Sequence, residues 1–191
     1  ALKFLAEGCP KPDFTENFIG NVNMGEAEVT IAPCIKSDTL MGALRNLFAS
    51  IKPGDYFALD AFLPFDGEGR REALEVIRHG VADKLGVVSC LEIGPRYLHS
   101  TGQLHKGGKN NGVFLMVSAD ELKDIPLRHV EPESLGMLAR TQAAADLSIL
   151  IERGRRCMHL HLPDNSGVTI RALGDAVMKV LDEIERERAA E

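Results

Sequence analysis

The chain has 191 residues, of which 45% are hydrophobic and 26% charged, and its formal net charge is −6. This length suffices for one self-supporting domain, and the balance of apolar and charged residues excludes wholesale disorder. No block of basic residues occurs, which argues against a nucleic-acid-binding surface. No apolar run approaches the roughly 18 residues that cross a bilayer, and the first residues lack the apolar core of a signal peptide. We therefore expect a cytoplasmic protein without a membrane partner.

The pattern of apolar residues changes at residue 37. Residues 1–36, which contain several prolines and glycines, are predicted to form an irregular N-terminal arm with one short strand at residues 28–32. After residue 37, segments with helical spacing of apolar residues alternate with short apolar runs of strand length. The predicted elements, in chain order, are a helix at 37–51, a strand at 56–63, a helix at 67–85, strands at 87–91 and 113–117, a helix at 134–152, a strand at 157–162 and a helix at 167–188.

This alternation predicts one α/β domain over residues 37–191, in which a parallel sheet is covered by helices on both faces. The run at residues 56–63 is almost wholly apolar, as expected of a strand buried on both faces. Asp60 interrupts that run. Because a buried carboxylate needs partners, Asp60 is either a hydrogen-bonded structural residue or part of a site.

The sequence contains no strong metal-binding motif. The four cysteines are widely separated: Cys9, Cys34, Cys90 and Cys157. None forms a C-x-x-C pair, and in a reducing cytosol they are predicted to be small buried apolar residues. Two histidines, at positions 159 and 161, lie on one face of a predicted strand at a spacing that can bind a metal. No carboxylate or cysteine cluster lies near them in sequence, so a structural role is favoured.

A polar segment follows the second predicted strand of the domain. Residues 94–112 contain two histidines, three cations, and several hydroxyl and amide side chains. In open α/β sheets, ligands bind beyond the carboxyl ends of the strands, where this segment begins. Hydroxyls, glycine N–H groups and cations suit an anionic or polyhydroxylated ligand, and a histidine can serve as a general acid or base. The alternative is a solvated surface loop without chemistry.

Residues 94–108 (GPRYLHSTGQLHKGG) closely resemble the C-terminal part of bifunctional transaldolase/glucose-6-phosphate isomerases. Residues 53–59 (PGDYFAL) and 112–115 (GVFL) fit the same family, and the resemblance covers roughly residues 37–185. It implies a sugar isomerase (SIS) domain, a three-layer fold with about five parallel strands between helices. It also implies the interconversion of glucose 6-phosphate and fructose 6-phosphate without a metal or organic cofactor.

The chain also looks, more distantly, like the second SIS half of ordinary phosphoglucose isomerases. Their G-Q…H-Q-G segment is matched by residues 102–103 and 105–107, which implies that His105 is the catalytic residue that helps to open the sugar ring. Their D-Q-x-G-V segment is matched by residues 164–168, so that Asn165 takes the place of a substrate-contacting glutamine. The polar content of the loop adds five further candidates for substrate binding: Arg96, Ser100, Thr101, Gln103 and Lys106.

Three features of the family have no match in the sequence. The position of the catalytic lysine holds Ala172, with Arg171 adjacent. The E-S-N-G segment that supplies the carboxylate base is missing, as are the Ser/Thr-rich phosphate loops of the first SIS half. We therefore expect the C-terminal half of an isomerase, whose partners are a phosphorylated sugar, an N-terminal half and, in a bifunctional protein, a transaldolase domain. We also consider a second copy of the chain as a partner, in a homo-oligomer. The alternative is a non-catalytic sugar-phosphate-binding or dimerisation module.

Overall fold

The computed structural model describes residues 16–21, 25–64, 67–127 and 134–190. A 3₁₀ helix, Arg96–His99, precedes the third of the α helices in this part of the chain. None of the described helices is long and apolar enough to cross a membrane. The elements in chain order are β1 (Glu16–Asn21), β2 (Glu26–Ile31), α1 (Leu40–Ala49), β3 (Tyr56–Phe62), α2 (Arg70–Leu85), β4 (Val88–Ile93), α3 (Thr101–Gly107), β5 (Gly112–Ala119), α4 (Leu135–Glu152), β6 (Arg156–Leu162) and α5 (Gly167–Ala190).

The six strands form one mixed sheet in the order β1-β2-β6-β5-β3-β4. Strands β3 to β6 are mutually parallel, whereas β2 pairs antiparallel with β6 and β1 pairs antiparallel with β2. The predicted α/β class with helices on both faces is confirmed. The prediction of about five parallel strands differs from the observed sheet, because two strands from the N-terminal region extend it in the antiparallel sense.

The expected arm, with one strand at residues 28–32, contains two strands in its described part, β1 and β2. β2 lies against β6 from the pair Glu28–His161 to the pair Ile31–Met158. Its inward side chains Val29 and Ile31 are fully buried in the main core. The strand predicted at residues 28–32 overlaps β2, whereas β1 was not predicted, because a short polar segment leaves no periodic apolar pattern.

Helices cover the two faces of the sheet unequally. Helices α1, α2 and α5 pack on the first face, with α2 against α5, over the larger core cluster. The 3₁₀ helix, α3 and α4 cover the second face, over a smaller cluster that includes Phe114 and Tyr97. Alternation along β3 sends Leu59 to the first face and Asp60 to the second, because successive strand residues point to opposite sides.

The chain changes direction in the sheet between β3 and β5. β3 leads through α2 to β4 on one side, whereas β5 leads through α4 to β6 on the other. The carboxyl ends of β3 and β5 are therefore a topological switch point, where loops diverge and leave a crevice for ligands.

Candidate functional site

A cleft of about 480 Å³ lies beyond the carboxyl ends of β3, β4 and β5, at the switch point. Phe62 and Ile93, at the ends of β3 and β4, contribute to its apolar wall. Two cations and two carboxylates contribute charge to the same cleft: Arg96, Lys123, Glu121 and Asp124. The volume falls within the range of small-molecule sites, roughly 300–1,000 Å³. An apolar wall with a few converging charged groups suits a small polar ligand.

The segment before α5 reaches this cleft through Glu121. Nδ2 of Asn165 donates a hydrogen bond to Oε2 of Glu121 at 2.6 Å, and Nη1 of Arg70 donates to the carbonyl oxygen of Asn165 at 3.3 Å. Burial, followed by the nearby carboxylate of Asp124, raises the pKa of the Glu121 carboxyl above its ordinary value. Asn165 itself is buried, so its amide acts on the cleft through Glu121.

Hydrogen bonds at the N-terminus of α5 hold Asn165 near Glu121. Oδ1 of Asp164 accepts hydrogen bonds from the backbone N–H of Ser166 and from the hydroxyl of Thr169, both at 2.8 Å. The Ser166 hydroxyl in turn accepts from the backbone N–H of Thr169 at 3.2 Å. These side chains satisfy N–H groups that a helix N-terminus leaves without intrahelical partners, which holds Asn165 in place.

A second group of polar side chains lies beneath the 3₁₀ helix and α3, on the second face of the sheet. Nζ of Lys106 lies 2.6 Å from Oδ1 of Asp146 on α4, and the Tyr97 hydroxyl donates to Oδ2 of Asp146 at 2.9 Å. Burial raises the pKa of Tyr97 far above its ordinary value. The polar segment predicted as a loop therefore folds into short helices that are fixed to α4 by a buried ion pair.

His105 is packed into this group. Its side chain is only 2% exposed, and its ring centroid lies 5.0 Å from that of Phe114 and 5.8 Å from that of Tyr56. Nδ1 of His105 lies 3.9 Å from Oδ1 of Asp60, whose side chain is fully buried. Burial lowers the pKa of His105 to about 4 and raises the pKa of Asp60 well above its ordinary value. The imidazole is thus neutral at neutral pH.

Two of the sequence-predicted residues come together at the cleft. Arg96 lines it directly, and Asn165 is joined to it by the hydrogen bond to Glu121. The described lining of the cleft does not include His105 or Lys106. The ring-opening role implied for His105 stays a prediction.

The other predicted residues of the segment serve its local structure. Nε2 of Gln103 donates to the carbonyl oxygen of Leu98 at 2.7 Å, and the Ser100 hydroxyl donates to the carbonyl oxygen of Tyr97 at 3.2 Å. Thr101 is exposed at the first position of α3. Their roles in substrate binding also stay predictions.

Sequence reasoning missed Glu121 and Lys123. Both follow β5, which was predicted as a strand, and the rule that ligands bind beyond the carboxyl ends of parallel strands would have indicated them. The order of strands that makes this particular exit a switch point is visible only in the folded sheet.

The two histidines of β6 belong to a separate hydrogen-bonded network. Oγ of Ser118 lies 2.8 Å from Nε2 of His159 and 2.8 Å from Nδ1 of His161. Nε2 of His161 lies 3.1 Å from Oδ1 of Asp120, and Asp120 also accepts from Arg140. The structural role predicted for these histidines is consistent with this network, in which a carboxylate beyond the end of β5 reaches His161.

No protein-family model and no curated protein matches the chain. Solved structures do match its fold. A hypothetical protein from Thermus thermophilus, TT0462, is similar over 74% of this chain, with a TM-score of 0.63 and 18% sequence identity. The match spans 38% of that protein's chain, well under two thirds of its length. At this identity the likeness shows the fold alone, which is an α/β fold with a predominantly parallel sheet between helices.

Proposed function

We propose that the chain is the C-terminal SIS-type module of a glucose-6-phosphate isomerase. It would interconvert glucose 6-phosphate and fructose 6-phosphate by acid–base ring opening and enediol proton transfer. One observation carries the proposal. Two segments that resemble the isomerases are distant in sequence: residues 94–108, of which Gly94, Pro95 and Arg96 line the cleft, and residues 164–168, of which Asn165 reaches it through its hydrogen bond to Glu121.

The charges of the cleft support a phosphorylated sugar as ligand. Arg96 and Lys123 bring positive charge, and charge-assisted hydrogen bonds from such groups are the strong contacts to phosphate. Glu121 brings a carboxylate that can accept hydrogen bonds from sugar hydroxyls. Opposite charges in one cleft of this size suit a ligand with a phosphate at one end and hydroxyls at the other.

The proton transfer between C1 and C2 needs a carboxylate base. Because the sequence has no counterpart of the family's E-S-N-G segment, we assign the base to the N-terminal half of the isomerase. Carbonyl-adjacent protons are acidic enough for removal by a general base, and such acid–base steps typically contribute about 10²- to 10⁴-fold to the rate.

The resemblance implies that His105 moves the proton of ring opening, whereas the structure leaves only 2% of its side chain exposed. His99, in the same segment, is exposed. The two histidines therefore provide a matched pair of variants.

The test uses the full-length protein, with calorimetry on fructose 6-phosphate beside a coupled isomerase assay. We expect binding and turnover, and a loss of about 100-fold or more in kcat in His105→Ala with an unchanged circular dichroism spectrum. Wild-type turnover in His105→Ala would contradict the catalytic role of His105. A loss of kcat confined to His99→Ala would assign the ring-opening step to His99. Binding without turnover would favour a sugar-phosphate-binding module, and the absence of both would contradict the proposal.

A further inference from the structure

We propose that Cys90, Glu92 and His105 form a binding site for a divalent cation of the zinc type. Sγ of Cys90, a carboxylate oxygen of Glu92 and a ring nitrogen of His105 all lie within 4.8 Å of one another. This site goes beyond the isomerase proposal, because the family resemblance implies no metal, and an ion bound to His105 would compete with the ring-opening role proposed for that imidazole.

The fold accounts for this juxtaposition. Cys90 and Glu92 are two residues apart on β4, so their side chains point to the same face of the sheet. His105 reaches that face from α3, which packs over it. Asp60 is the register partner of Glu92 on the neighbouring strand β3, which places a second carboxylate on the same face.

Two buried side chains, one in the cluster and one beside it, have polar atoms without hydrogen-bond partners in the described part of the chain. Among the described residues, none makes a hydrogen bond to either carboxylate oxygen of Asp60 or to Nδ1 of His105. Asp60 is fully buried and His105 is 2% exposed. Buried polar groups without partners are costly, so such groups commonly mark a ligand or ion that satisfies them. Asp60 adjoins the three candidate ligands, and His105 is one of them.

The donor set selects the kind of cation. A cysteine thiolate, an imidazole and a carboxylate suit zinc, whereas magnesium and calcium prefer oxygen ligands. Tetrahedral zinc bonds of roughly 2.0–2.3 Å separate ligand atoms by roughly 3.5 Å, so closure of about 1 Å between side chains would complete the site. A thiolate from Cys90 and the carboxylate of Glu92 balance the two charges of the ion, and the proton of the thiol passes to solvent.

The cluster is open to solvent on one side and supported by a carboxylate on the other. Cys90 and Glu92 are partly exposed, whereas His105 and Asp60 form the buried side of the cluster. Three protein ligands leave a fourth coordination position for water on the exposed side. Asp60 lies 3.9 Å from Nδ1 of His105 and adds a carboxylate to the buried side of the cluster.

The test is metal binding by the full chain, measured by titration of the metal-free protein with Zn²⁺ and by absorption spectra with Co²⁺. We expect one Zn²⁺ per chain, a thiolate-to-cobalt charge-transfer band and tetrahedral d–d bands. Cys90→Ser should abolish the charge-transfer band and weaken Zn²⁺ binding by at least about 100-fold, and Glu92→Gln should also weaken binding. The matched control is Cys34→Ser, which changes an exposed thiol outside the cluster and should leave both signals unchanged.

Several outcomes would contradict the proposed metal site. These are substoichiometric Zn²⁺ on the folded wild-type chain, a cobalt band that persists in Cys90→Ser, or a band lost only in Cys34→Ser. If Cys90→Ser does not fold, the test is the melting temperature of the wild-type chain with and without Zn²⁺. An ion bound to the native state must raise it, so an unchanged melting temperature would contradict the site. These readouts need no sugar. Turnover by metal-free protein would support the isomerase proposal whatever the metal result, so the two proposals fail separately.

Discussion

The ammonium of Lys106 lies 2.6 Å from Oδ1 of Asp146 in an ion pair that is almost wholly buried, with side-chain exposures of 15% and 3%. The Tyr97 hydroxyl donates to the other oxygen of the same carboxylate. This arrangement ties α3 and the 3₁₀ helix to α4. A lysine held in this way contributes to the position of the helices, whereas a phosphate-binding lysine needs its ammonium directed toward the ligand.

Lys106→Ala should therefore reduce stability. The substitution leaves a buried carboxylate without its cation, which typically costs about 3 kcal/mol or more in the free energy of unfolding. Lys109→Ala is the matched control, because Lys109 is exposed in the same segment and its loss should change stability by less than about 0.5 kcal/mol. Urea denaturation of both variants measures the difference. Equal stability of the two variants would contradict a structural role for the Lys106–Asp146 pair.

Gly167, at the start of α5, packs closely against the loop before α2. A Cβ built at this position would overlap the carbonyl oxygen of Glu68 and lie 3.1 Å from Nη1 of Arg171. We expect Gly167→Ala to lower the free energy of unfolding by about 2 kcal/mol, since backbone atoms must shift. At Gly107 a Cβ meets no described atom within 4 Å, so Gly107→Ala should be nearly neutral. Thermal denaturation distinguishes them, and a neutral Gly167→Ala would show that the loop moves freely.

Arg96 should bind the phosphorylated sugar in the cleft. Removal of a charge-assisted contact to phosphate should raise the Kd for fructose 6-phosphate about 10-fold in Arg96→Ala, which corresponds to about 1.4 kcal/mol. Lys109→Ala again serves as control, because Lys109 precedes β5 at the opposite, amino-terminal edge of the parallel strands. Isothermal calorimetry measures both. An unchanged Kd in Arg96→Ala would place the phosphate elsewhere.

The stability of the protein should fall with acid partly because of His161. Burial, followed by the charge of Arg140, lowers the pKa of His161 from its ordinary value of 6.5, although Asp120 opposes the shift. Because the unfolded chain takes up this proton first, stability is full above about pH 6.5 and declines as pH falls toward the lowered pKa. The slope approaches about 1.4 kcal/mol per pH unit for one proton.

His161→Gln should make that decline shallower below about pH 6.5, the ordinary pKa of histidine, as measured by urea denaturation across the range. Buried His105, whose pKa is lowered to about 4, contributes a slope of the same sign, so the decline should diminish without vanishing. The control is His79→Gln, which replaces an exposed histidine on α2. An identical profile in His161→Gln and the wild type would contradict the prediction.

Sequence patterns predicted the burial of a strand correctly but not the burial of two side chains in a polar segment. The apolar run ending at Leu63 predicted a doubly buried strand, and β3 is buried along nearly its whole length. Residues 94–112, by contrast, were interpreted as a polar loop that binds a ligand or faces solvent, yet Tyr97 and His105 are buried in a core. Composition reports the average polarity of a segment, whereas burial depends on which few side chains the short helices turn inward.

The α/β class could be predicted from the amino-acid sequence, because alternating helical and strand-length patterns leave few other ways to bury their apolar residues. The polar content of residues 94–112 indicated Arg96 and the family resemblance indicated Asn165; in the fold Arg96 lines the cleft and Asn165 reaches it through Glu121. Three features became visible only in the folded chain: the antiparallel addition of β1 and β2, the buried position of His105, and the approach of Cys90 and Glu92 to that histidine. These features arise from the order and register of strands that are distant in sequence, and local periodicity carries no information about which distant segments pair.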